Sequence, residues 1–96
     1  MKPSEALHLH RAEIREIVEQ NHAKNARVFG SVLHNEDTES SDLDLLVDPT
    51  EKTSLFDLAR IETQLQKLLQ VSVDVLTPKF LHISFRDEVL REAKPV

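Results

Sequence analysis

The sequence predicts a small α/β domain in which about three strands form a sheet covered by helices on one face. Three observations carry that prediction. Short apolar runs at 28–29, 43–47 and 71–76 are separated by longer stretches of helical periodicity. Within the last two runs the side chains alternate. Leu43, Leu45 and Val47 fall on one face and Asp42 and Asp44 on the other; Val71, Val73 and Val75 likewise oppose Ser72, Asp74 and Leu76. Between them, Leu58, Ile61, Leu65, Leu68 and Leu69 recur at three- and four-residue intervals, the stripe of an amphipathic helix lying over a sheet.

In chain order, residues 2–22 read as one helix. Pro3 and Ser4 suit its start, and Leu7, Ile14, Ile17 and Val18 form its apolar stripe, with His10 a half-buried structural histidine. A polar turn at 21–25 leads into a short strand, 27–29, ending at Gly30. Residues 32–41 read as a loop with one helical turn at its start, and its Glu36, Asp37 and Glu39 as solvated carboxylates. The second strand spans 42–48 and stops at Pro49, with Asp48 a strand-end residue rather than a ligand. Ser54 and Asp57 have the spacing of a capping box for the long helix. After the third strand, 71–76, Thr77-Pro78 is a helix entrance. Leu81, Phe85 and Val89, four apart, mark a last helix ending near Ala93.

With 96 residues the chain is expected to be one domain with a single modest core. Four Phe and no Trp or Tyr make that core aliphatic, and the absence of Cys excludes disulfides and thiolate metal sites. His8, His10 and His22 lack a ligand-gathering spacing, which argues against zinc. No apolar run approaches a membrane span and no signal-peptide pattern is present, so a cytoplasmic protein without membrane association is expected. The net charge of −5 is the wrong sign for a stable nucleic-acid binder, which presents a basic face.

The chemistry concentrates between Gly30 and Asp44. Asp42 and Asp44 project from one face of a strand, where two carboxylates repel unless protonated or bridged by cations. A pair of divalent ions resolves the repulsion and is the usual apparatus for displacement at phosphorus, with Mg²⁺ the suited metal. Gly30, the chain's single glycine, lets the backbone approach a ligand closely. A short helix beginning near Ser31 would aim its free N–H groups and the hydroxyl at an anion. The pattern Gly-Ser-x10-Asp-x-Asp therefore reads as a triphosphate held at Gly30-Ser31 beside metals on Asp42 and Asp44. Its chance frequency is on the order of one in 10⁵ per start position at average residue usage.

Gly30-Ser31-x10-Asp42-x-Asp44 resembles the signature of the DNA polymerase beta-type nucleotidyltransferases. Residues 55–60, 73–78 and 90–93 extend the resemblance to its small stand-alone members, the MNT-domain antitoxins (MntA proteins), encoded beside HEPN-domain toxins. The resemblance covers nearly the whole chain and implies a minimal palm fold with a mixed sheet. It implies a reaction that moves a nucleoside monophosphate from a nucleoside triphosphate and releases pyrophosphate. Asp42, Asp44 and Asp74 become metal ligands and catalytic residues, Asp74 helping to deprotonate the nucleophile, with two Mg²⁺ ions and ATP. The acceptor it implies is a tyrosine of a cognate HEPN toxin, an RNA-cleaving helical protein, silenced by AMP.

Two positions depart from the family. Relatives carry Arg directly after Gly-Ser and Gly three residues later; here these are Val32 and Asn35. The first change removes a phosphate contact, whereas Asn tolerates positive φ better than most residues. Two other readings stay open: a catalytically silent antitoxin that inhibits its toxin by binding alone, and a small-molecule nucleotidyltransferase without a protein partner.

Overall fold

The computed structural model describes residues 1–96. Helices α1 (Pro3–Leu9) and α2 (Arg11–Gln20) lead into strand β1 (Ala23–Phe29), the one-turn helix α3 (Gly30–Leu33) and strand β2 (Leu43–Pro49). Helix α4 (Leu55–Leu69), strand β3 (Val73–Leu76), a 3₁₀ turn (Pro78–Phe80), helix α5 (Ile83–Glu92) and strand β4 (Lys94–Pro95) complete the chain. The sheet order is β3-β2-β1-β4. β2 and β3 run parallel, joined by the α4 crossover, while β1 is antiparallel to both β2 and β4. The sheet is therefore mixed, as expected, with one more strand than the three expected. The added edge is two residues long and contains a proline, too little pattern to be read from sequence.

Alternation along the strands sorts the two faces as the sequence predicts. Leu43, Leu45, Val47, Val73 and Val75 join Ile14 and Val18 of α2 and Leu58, Ile61, Leu65 and Leu69 of α4 in the main core. Removing this apolar surface from water is the chief stabilising contribution, at ~25 cal/mol per Å². The opposite face is not bare. A smaller cluster of Phe29, Leu46 and Leu81, backed by Val89 and Ala93, seats the C-terminal segment over part of it. One end of that face is left to Asp44 and Asp74.

The structure corrects the boundaries where local chemistry outweighs periodicity. The expected single N-terminal helix is broken at His10 (φ −123, ψ 26), whose Nδ1 lies 2.7 Å from Glu13 Oε1. Asp37, expected to be a solvated loop carboxylate, is buried and accepts the Ser4 N–H at 2.9 Å. It thereby ties the start of α1 to the loop that precedes β2. Burial pushes the Asp37 carboxyl up, but the Ser4 backbone and side chain, its own N–H and Lys2 offset this and hold it below the usual carboxylate range.

β1 begins four residues earlier than expected. Its register shifts between Lys24 and Arg27, and Asn25 takes φ 54 there, so a β-bulge disguises the strand as a turn. Asp48 is a strand-end structural residue, as expected, paired with Arg27 at 2.5 Å and Asn25 at 2.8 Å. The Ser54–Asp57 capping box is present. Thr77 makes no side-chain cap; Pro78 starts only a 3₁₀ turn, and α5 begins at Ile83 behind His82, whose Nδ1 accepts the Ser84 N–H at 3.1 Å. No helix is long and apolar enough to cross a membrane.

Candidate active site

Three elements meet at the open end of the polar face. β1 ends at Phe29 and turns into α3, β2 begins at Leu43, and β3 begins at Val73. The register pairs Phe29 with Asp44 and Asp44 with Asp74. The two aspartates are thus direct neighbours on adjacent strands, about 4.8 Å apart in the sheet. Asp42 lies just outside β2 and is exposed. The Leu43 N–H beside it donates to Ser72 O at 2.8 Å, which fixes the β2 entrance against the start of β3. The sheet therefore groups the three sequence-predicted carboxylates at one end of one face.

Gly30 has φ +74, a backbone conformation that favours glycine, and Asp44 fills the space where its side chain would be. A Cβ there would collide with Asp44 Oδ2 and lie 3.2 Å from Cγ. The glycine is required twice, for the turn from strand to helix and for the close approach of the carboxylate. Ser31 follows in the first turn of α3, where backbone N–H groups have no intrahelical partner. Asn35 adopts φ 57, a left-handed conformation that asparagine tolerates better than most residues. Val32, in contrast, is 6% exposed and part of the main core.

The electrostatics of the cluster are unbalanced. Burial, then Asp74, then Asp42 push the Asp44 carboxyl up to about 6. None of the chain's five ion pairs uses Asp42, Asp44 or Asp74. The donor set is carboxylate oxygen throughout, the chemistry that hard divalent ions such as Mg²⁺ prefer, and a cation would relieve the repulsion that raises Asp44. The residues fit such an ion chemically. They do not form a preassembled site, since no three acidic or imidazole side chains converge as ligands. Sequence reasoning found these residues but overlooked the contact of Gly30 with Asp44, which joins two distant strands.

Residues 11–96 match the nucleotidyltransferase domain family. The chain is 36% identical over 81 residues to the protein adenylyltransferase MntA of Thermococcus cleftensis, covering 84% of this chain and 82% of that protein. It is 44% identical over 73 residues to a Methanocaldococcus jannaschii protein described as a candidate protein adenylyltransferase, covering 76% and 78% of the two chains. The solved structure of a candidate minimal nucleotidyltransferase superposes with a TM-score of 0.86 at 41% identity, over 97% of this chain and 95% of that one. A toxin–antitoxin structure with AMP-PNP shares the fold at a TM-score of 0.73 and 17% identity, over 88% of this chain and 69% of that one. The chain belongs to the nucleotidyltransferase domain family, and its fold is that of a minimal nucleotidyltransferase.

Proposed function

We propose that this chain is a Mg²⁺-dependent protein adenylyltransferase that moves AMP from ATP to a tyrosine of a cognate HEPN-family RNase toxin, and so acts as a cytoplasmic antitoxin. The observation that carries the reading is Asp44, pressed against Gly30 and paired with Asp74, its carboxyl pushed up to about 6 by burial and by the neighbouring aspartates. Ionised carboxylates concentrated beside a glycine turn suit a cation-assisted site for an anionic substrate. A relative that is a protein adenylyltransferase, and a toxin–antitoxin structure that shares this fold and contains AMP-PNP, support ATP as donor. The chain contains no tyrosine, so a tyrosine acceptor must come from another molecule.

Each residue then has a task. Gly30 and Ser31 hold the outer phosphates with backbone N–H groups and the Ser31 hydroxyl. Asp42, Asp44 and Asp74 would hold two Mg²⁺ ions, which when bound neutralise charge on the triphosphate and on the departing pyrophosphate. Asp44, relieved of repulsion, stays ionised at neutral pH. Asp74 accepts the tyrosine proton as the phenolic oxygen bonds to the α-phosphorus. The bond from that phosphorus to the α,β-bridging oxygen breaks, and pyrophosphate leaves with the electron pair. The rate comes mainly from alignment and charge stabilisation.

Val32 favours a second reading, in which the chain neutralises its toxin by occlusion, because a buried valine stands where the family resemblance implies an arginine that contacts phosphate. The two readings separate in cells expressing the neighbouring HEPN protein. Under the enzymatic reading Asp42→Asn/Asp44→Asn abolishes protection while the complex still forms. Full protection by that variant establishes occlusion instead.

A further inference from the structure

A cleft of about 690 Å³ lies behind α3, bounded by α1, α3 and β4. Val28, Val32 and Leu33 line its apolar side; His8, Arg11 and Lys94 line it as well. None of these three basic residues enters an ion pair within the chain. Leu9 stands at the cleft 63% exposed. The acidic residue of the lining, Glu5, is turned toward its own helix start, where it accepts the Lys2 N–H at 2.9 Å. On a chain of net charge −5, this is a local reversal of sign around a cleft of mixed apolar and polar lining.

Each sheet edge carries one obstacle to strand addition. The outward N–H of Val75 on edge strand β3 donates to Glu62 Oε2 at 2.9 Å, and the opposite edge, β4, ends in Pro95, which has no N–H. Side chains offer a partner more than the strand edges do, and a cleft that sets apolar side chains beside unpaired basic ones suits an amphipathic helix laid into a groove. α3 is the wall shared by this cleft and the candidate active site: Gly30 touches Asp44, while Val32 and Leu33 line the cleft. A helix is about 10–12 Å across with its side chains. A partner seated in the cleft therefore lies against the same one-turn helix that borders Asp44.

We propose that the α1–α3–β4 cleft is the docking site for the acceptor protein, which enters it with an amphipathic helix carrying acidic residues beside its apolar stripe. The proposal rests on the protein-adenylylation reading above and adds where the acceptor is held. Complementary charge at such a rim acts on association and on its salt dependence.

The test compares the wild-type chain with Arg11→Glu/Lys94→Glu and with Lys52→Glu/Lys67→Glu, which makes the same change in net charge away from the cleft. Binding of the HEPN-family protein encoded beside this chain is measured by calorimetry at two salt concentrations. Binding of a fluorescent ATP analogue with Mg²⁺ is measured in parallel. We expect the cleft variant to weaken complex formation at least about tenfold and to flatten its salt dependence, with nucleotide binding unchanged and the control variant within about twofold of wild type. Equal affinity for the cleft variant and wild type overturns the docking site while leaving the adenylylation reading intact. A wild-type chain that does not bind the HEPN protein, though it binds nucleotide, overturns both.

Discussion

Asp44 and Asp57 are aspartates on consecutive elements in opposite electrostatic conditions. Asp44 lies at the entrance of β2, faces Asp74 and Asp42, and has its carboxyl pushed up to about 6. Asp57 lies in the first turn of α4, after β2 ends. Its side chain is 4% exposed, and the Ser54 N–H above all, with His22, Arg60 and the Ser54 hydroxyl, holds its carboxyl down to about 2 against the opposing effect of burial. The network around Asp57 is closed: Arg60 bonds both Asp57 and Asn21, and Asn21 reaches Gln64 at 2.9 Å. A satisfied buried charge is costly to break because its partners are left uncompensated, whereas unsatisfied charge costs stability as it stands and clusters at functional sites. The difference gives Asp57 a structural role and agrees with the chemical role proposed for Asp44.

Perturbing each end tests that assignment. The largest effect is expected from Asp42→Asn/Asp44→Asn, which should lower AMP transfer by about 10³-fold or more while leaving the fold and the complex in place, as read by mass spectrometry and size-exclusion chromatography. Gly30→Ala comes next. Its methyl group displaces the Asp44 carboxylate, and misplacement of that kind costs on the order of 10²-fold in turnover. Asp57→Ala should act in the opposite sense. It removes the capping box and strands Arg60, lowering Tm by roughly 5 °C or more with turnover per folded molecule unchanged.

The pH dependences are smaller and differ in sign. The folded state raises the Asp44 carboxyl, so its favourable contribution is complete below about pH 4 and lost as pH rises through about 6. Asp44→Asn should therefore stabilise the metal-free chain at pH 7 by about 1–2 kcal/mol, discounted for partial solvent exposure, and the gain should vanish near pH 4. Mg²⁺ should raise the wild-type Tm at pH 7 and leave that of Asp42→Asn/Asp44→Asn unchanged. Asp57 is depressed in the fold, so its contribution is complete above about pH 4 and is lost as pH falls through about 2. Thermal melts of wild type and Asp57→Ala should converge in that acidic window.

The carboxylate end was the more legible of the two in the sequence. Period two set Asp42 and Asp44 on one face and Asp74 on the polar face of its own strand, and the family resemblance joined Asp74 to the pair. Ser54 and Asp57 were legible as a cap because both partners lie within four residues. What escaped were contacts between residues far apart in sequence. Asp37 reaches Ser4 across 33 positions, and nothing in the composition of its loop marks it as buried. Gly30 meeting Asp44 depends on a strand register that no local pattern specifies. The early part of β1 was hidden by the bulge at Asn25, and β4 is held to Ala26 and its neighbours by too few residues to carry a pattern. Val32 was recognised as a departure from the family, but its burial in the main core became visible only in the fold.

The most direct test is the intact mass of the proposed HEPN-family acceptor after incubation with this chain, Mg²⁺ and ATP, alongside reactions without Mg²⁺ and with Asp42→Asn/Asp44→Asn. The account predicts a gain of one or more AMP units on a tyrosine, seen only when the metal and the native aspartates are both present. An unchanged mass with every nucleoside triphosphate, in a sample where the two proteins form a stable complex, would contradict it.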